Sequence, residues 1–137
     1  MYKTIMVPVD LEHPDQLEKA LSVAADLATQ YHADLYAVGV TSSAPGRVAH
    51  NPTEYTEKLE AFVVEQTVRR GVRFQAKPMV SLDPAVDLDD TLKKAGAEIG
   101  ADLVVMASHI PGFLDYILAS RAGYLASHSD LSVFVVR

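Results

Sequence analysis

Ala101–Arg137 reads ADLVVMASHIPGFLDYILASRAGYLASHSDLSVFVVR, and the fold turns on this stretch. Leu103-Val104-Val105-Met106 is a short continuous apolar run, the pattern of a strand buried on both faces. Ala107-Ser108-His109-Ile110-Pro111-Gly112 follows as a polar, turn-forming segment. A helical pattern comes next, and Ser132-Val133-Phe134-Val135-Val136 closes the chain as a second buried strand. In an open parallel sheet, ligands sit beyond the carboxyl ends of strands where the strand order reverses. The Ser108–Gly112 loop falls at such a position.

The same alternation extends back to the start. Thr4, Ile5, Val7 and Val9 mark a first strand that ends near Pro8 and leaves Asp10 at its carboxyl end. Pro14 suits the first position of a helix whose apolar face is Leu17, Ala20, Leu21, Ala24, Leu27, Ala28 and Tyr31. Leu35–Val40 reads as a second strand, and Thr41–Asn51 as a Ser-, Pro- and Gly-bearing loop. Asn51-Pro52-Thr53-Glu54 predicts a capped helix start in which Glu54 closes a capping box. Tyr55, Leu59, Phe62, Val63 and Gln66 form that helix's inward face, and Gly71 ends it. Val72–Val80 is a third strand, and Pro78 within it marks either a sheet edge or the strand end. Asp83-Pro84 opens a helix with Leu88, Leu92, Ala95 and Ile99 inward. Asp87, Asp89 and Asp90 crowd its first turns, where the helix dipole and solvent suffice to explain them. The order βαβαβαβαβ predicts one α/β domain over residues 1–137, a parallel sheet with helices on both faces and right-handed crossovers.

Composition narrows the function. The chain has 137 residues, 49% of them hydrophobic and 22% charged, ordinary for a globular domain. A net charge of −6 argues against nucleic-acid binding and against anionic membrane surfaces. The absence of cysteine excludes disulfides, thiolate catalysis and cysteine-ligated zinc. MYKTIMVPVD has no apolar signal core, so a cytoplasmic location is expected. His13, His32, His50 and His128 show no paired spacing, so no metal site is expected. No paired carboxylates, Ser–His–acid arrangement or intact phosphate loop indicates an enzyme.

Several segments carry a likeness to one family. Val7-Pro8-Val9-Asp10, Ala33–Val40, Ala101–Met106, Ala107-Ser108-His109-x-Pro111, Tyr116–Ser120 and Ser132–Val136 resemble the universal stress protein family. The form of the fourth-strand loop is closest to its small F/G-type branch. Gly39 stands where the family's second strand usually has histidine. The resemblance implies a five-stranded sheet of order 3-2-1-4-5, adenine-nucleotide alpha-hydrolase-like, and a stress-response regulatory role. It also implies a crevice between the first and fourth strands that takes ATP or AMP, with magnesium.

Carried over residue by residue, Pro8, Val9 and Asp10 would contact the adenine or ribose end. Val40 and Met106 would flank the base. Ala107, Ser108, His109, Ser120 and Arg121 would face the phosphates. The family's phosphate loop, Gly-x-x-Gly, nine residues, Gly, then Ser or Thr, uses glycines so that backbone N–H groups can approach phosphate oxygens. Here Ala107, Ile110 and Ala119 replace them and only Ser120 is kept, which predicts weak nucleotide binding or none. The alternative is a non-nucleotide-binding homodimeric interaction module. Its contact would be Val133, Phe134, Val135 and Val136, by resemblance a sheet edge that pairs antiparallel across a two-fold axis.

Overall fold

Five parallel strands make one sheet: Thr4–Val9 (β1), Asp34–Ser42 (β2), Phe74–Ser81 (β3), Leu103–Ala107 (β4) and Ser132–Val136 (β5). Their order is β3-β2-β1-β4-β5, as the resemblance implied. The structure is a computed structural model and describes residues 1–107 and 115–137, without the side chains of Ala85 and 115–120. The helices are Glu18–Tyr31 (α1), Pro52–Arg70 (α2), Pro84–Ile99 (α3) and Asp115–His128 (α4). A 3-10 turn, Pro14–Leu17, leads into α1.

Period-two alternation in β1 divides its side chains between two cores. Ile5, Val7 and Val9 join α1 and α2 through Leu21, Ala24, Leu59 and Val63. Met6 joins the opposite layer with Val38, Val104, Leu92, Ala95 and Leu125. Both faces of the central strands are therefore apolar, which is why they read as continuous hydrophobic runs.

Local signals set most element ends. Gly71 and Gly100 take left-handed conformations, φ +69° and +68°, just past α2 and α3. His32 does the same past α1 at φ +53°, without glycine's steric freedom. Asn51 caps α2 as expected, its Oδ1 accepting from Glu54 N at 2.8 Å. The reciprocal half of the box differs from expectation. Glu54 Oε2 accepts from the backbone N–H of His50, at 3.2 Å, one residue earlier than the Asn51 N–H. Pro78 lies on edge strand β3, where a missing ladder donor is tolerated.

The cap on α2 has a consequence for β2. It fixes the first turn so that Tyr55 reaches over the strand at Gly39. A Cβ at residue 39 would fall 3.0 Å from Tyr55 Cε1, and nearer still to the hydroxyl. Glycine is therefore required here for close approach of a ring, not for a turn. Gly39→Ala is expected to cost about 1–3 kcal/mol by overpacking. The cost should shrink in a Tyr55→Phe background, where the hydroxyl is gone. Urea unfolding of the two single variants and the double variant measures both effects, and additive costs would contradict the assigned contact.

Candidate functional site

The seam between β1 and β4 is held at one end. The Asp102 carboxylate accepts from Lys3 N at 2.9 Å and Thr4 N at 3.1 Å, while Asp102 N donates to Thr4 O at 3.0 Å. Pairing along the seam is Ile5↔Leu103 and Met6↔Val104, and goes no further. β1 continues to Val9 in register with β2 alone, Pro8 opposite Val38 and Val9 opposite Gly39. Pro8 has no N–H to offer a neighbour. The seam thus opens toward its carboxyl end, at the point where crossovers leave in opposite directions.

A cavity of about 380 Å³ lies there, within the usual range for small-molecule sites. Pro8, Val9, Asp10, Val40, Met106, Ala107 and Arg121 all line it. The structure brings these seven sequence-derived candidates to one place. Ser108 and His109, with Ile110, Pro111 and Gly112, lie outside the described residues, as does the side chain of Ser120.

Asp10 is held by its own loop. Its Oδ1 accepts from Glu12 N at 2.9 Å and its Oδ2 meets His13 Nδ1 at 3.0 Å. The hydrogen bond to Asp10 raises the His13 ring above its ordinary value, opposed by burial. Asp10, Glu12 and His13 each offer an atom within 4.8 Å of the others. Spacing alone did not show this grouping, because Asp10 and Glu12 are contributed by the strand end and not by paired histidines. Asp10 does not cap α1.

Arg121, which the resemblance turns toward the phosphates, lines the cavity already paired. It lies within α4, is 7% exposed, and pairs with Asp89, Nε to Oδ1 at 3.4 Å. Burial pulls the guanidinium below its ordinary value while Asp89 opposes the shift. Burial likewise raises Asp89, opposed by Arg121 and reinforced by Asp90. Nor are Asp89 and Asp90 simply a solvated run. Asp90 Oδ1 accepts from the Tyr124 hydroxyl at 2.8 Å, so the two acids tie α3 to α4. Helical periodicity could not show this, since both partners come from another helix.

Several lining residues were not anticipated, among them Tyr55, Leu88 and Arg47. Tyr55 read only as part of an inward helix face. The aromatic facing a glycine on the preceding strand was the signal that could have singled it out. Arg47 is tied to Glu12 at 3.1 Å across the mouth. Thr41 and Ser42 at the rim donate to backbone carbonyls, Ser42 O and Ala44 O, and not to a base.

The edge strand β5 divides as follows. Phe134 and Val135 are 44% and 43% exposed, whereas Val136 is buried and Val133 packs partly against the α3–α4 layer. The Val136 side chain is therefore part of the core, on a strand that ends the sheet.

Comparison with known proteins gives a consistent picture. A family model described as "Universal stress protein family" matches residues 1–137. Universal stress protein G of Salmonella typhimurium is 28% identical over 148 residues, covering all of both chains. A universal stress protein solved in complex with cAMP superposes with a TM-score of 0.70 at 21% identity, covering 99% of this chain and 97% of that one. The Archaeoglobus fulgidus universal stress protein solved with dAMP gives 0.66 at 21% identity, covering 99% and 98%. The shared architecture is a five-stranded parallel α/β sheet of order β3-β2-β1-β4-β5 with flanking helices.

The Asp10–His13 contact sets an expected titration. Because Asp10 favours the imidazolium, the contact is complete below pH about 6.5, the free histidine value, and is lost as pH rises through the higher folded midpoint. A pH series of ¹H–¹³C correlation spectra should place the His13 midpoint above 6.5, and Asp10→Asn should lower it. An unchanged midpoint in Asp10→Asn would remove Asp10 as the cause.

Proposed function

The chain belongs to the universal stress protein family, and on that premise we propose that it is a cytoplasmic regulatory protein, one universal stress protein domain over residues 1–137, that binds an adenine nucleotide weakly. The observation that carries the proposal is that Asp10 and Arg121 line one largely apolar cavity at the open β1–β4 seam. An acceptor for sugar hydroxyls, an apolar space between Val40 and Met106 for a base, and a cation for phosphate match the parts of a nucleotide. Relatives solved with cAMP and dAMP lend further support.

The affinity follows from charge. Among the described lining residues, Arg121 is the buried cation, and Asp89 stands 3.4 Å from it. A neighbouring carboxylate offsets part of the attraction for an anion. By resemblance to the family's phosphate loop, Ala107 and Ile110 stand where that pattern has glycines, which let backbone approach a phosphate. One partly neutralised cation suits a single phosphate better than three, so AMP should bind at least as well as ATP with magnesium. The role proposed is binding, not catalysis. It is supported by the rim hydroxyls of Thr41 and Ser42, which are engaged by backbone. Cytoplasmic residence is supported only by a cysteine-free composition that a reducing compartment does not challenge.

A second reading rests on β5. We propose that the exposed Phe134 and Val135 belong to an isologous contact in which two β5 edges pair. Val133 and Val136 would then serve by holding the strand against its own sheet.

Two measurements test these readings. AMP at ten times its Kd should raise the melting temperature by about 3–5 °C, and Asp10→Ala should abolish most of the rise. No shift with AMP or with ATP and magnesium up to 10-millimolar order would reject nucleotide binding. Light scattering should give a dimer mass for the wild type and a monomer for Val135→Lys. A mass unaffected by the substitution would reject the edge contact.

A further inference from the structure

The phenol of Tyr55 is the least explained polar group in the cavity wall. The residue is 4% exposed and lines the cavity. Its ring and hydroxyl lie over Gly39, close enough to exclude any side chain there. Among the described residues no hydrogen bond reaches the hydroxyl. A hydroxyl that none of the described residues satisfies is left to a ligand in the cavity that it lines.

The register locates the group further. Gly39 pairs with Val9, the residue before Asp10. Adjacent strands are about 4.8 Å apart, so the hydroxyl sits beside the end of β1. Burial, reinforced by the negative charge of Asp10, keeps the phenol protonated. The two groups have complementary capacities. Asp10 as a carboxylate only accepts, and retains free lone pairs beyond its bonds to Glu12 N and His13. A neutral phenol can donate as well as accept. A ribose presents adjacent hydroxyls that can give a proton to one and take one from the other.

We propose that the Tyr55 hydroxyl, seated over Gly39 beside Asp10, hydrogen-bonds a ribose hydroxyl of the bound nucleotide and so selects ribonucleotides over the analogue that lacks it. This rests on the nucleotide-binding reading above. Tyr55 is then a specificity-determining residue, and Gly39 is its seat. α2 supplies the positioning, because its Asn51 cap sets the first turn from which Tyr55 projects.

Calorimetric titration with AMP, 2′-deoxy-AMP and 3′-deoxy-AMP tests it, on the wild type and on Tyr55→Phe. The wild type should prefer AMP over one of the deoxy analogues by about tenfold, the size of one neutral hydrogen bond. Tyr55→Phe should weaken AMP by a similar factor while leaving that analogue's affinity unchanged, erasing the preference. A purely space-filling phenol predicts no analogue-specific change. If the wild type binds AMP and Tyr55→Phe alters all three ligands equally, or none, the selector is overturned and the binding site stands. If the wild type binds none of the three, both the selector and the nucleotide reading fail together.

Discussion

One carboxylate decides where the sheet can open. Asp102 accepts both Lys3 N and Thr4 N, and its own N–H and C=O bond Thr4 and Ser132. It therefore pins the amino ends of β1, β4 and β5 together. With that end fixed, two paired positions later the β1–β4 ladder stops, and Pro8 adds no donor to extend it. Right-handed crossovers carry the chain away from β1 on one side and from β4 on the other, so among the described residues no helix roofs the gap. The opening is a product of topology plus one clamp.

What those side chains do is governed by compensation of charge. Asp10 is shared with His13, and Arg121 with Asp89. Neither ion presents its full charge to the cavity, and both pairs are partly or wholly withdrawn from water. Removing one member of a buried pair leaves the other desolvated, whereas a ligand that adds a complementary group can be accepted with little rearrangement. This arrangement favours modest affinity and sensitivity to ligand detail over tight capture. The neutral wall between the two pairs, Val40, Met106 and Leu88, supplies area without direction. Directional discrimination then falls to the polar groups that are fixed in place, Asp10 and Tyr55.

The fold was legible because its signals are local and redundant. Buried runs such as Leu103–Met106, terminating glycines at 71 and 100, the Asn51 cap and the edge-marking Pro78 each point to the same topology. The site was legible at strand ends, as for Asp10, Val40 and Met106, and at Arg121 through the resemblance. The pairing of Arg121 with Asp89 was not, because a 3.6-residue period reports one helix's own faces and says nothing of the neighbour that buries them. Gly39 read as a departure at one position. Its physical meaning appears only with Tyr55, sixteen residues on, which fills the space that a side chain would take. His32 shows the converse, a left-handed helix end adopted without the residue that usually announces it.

The cavity and the β5 edge lie in the same sheet yet impose separate demands. Pairing at an edge extends a sheet along its hydrogen-bonding direction, while the cavity opens along the strand direction. A second chain docked on Phe134 and Val135 would thus leave the mouth at Asp10 uncovered. Two structural links join them among the described residues: the register, in which Met106 pairs with Val135 and Ala107 with Val136, and α4, which carries Arg121 in the cavity wall and packs on Val133. Coupling between ligand and self-association through either would by linkage act equally in both directions. A packed strand pair buried at Met106 and Val136 resists small displacements. Association and ligand binding are therefore expected to be independent to first order, so that loss of one does not by itself imply loss of the other.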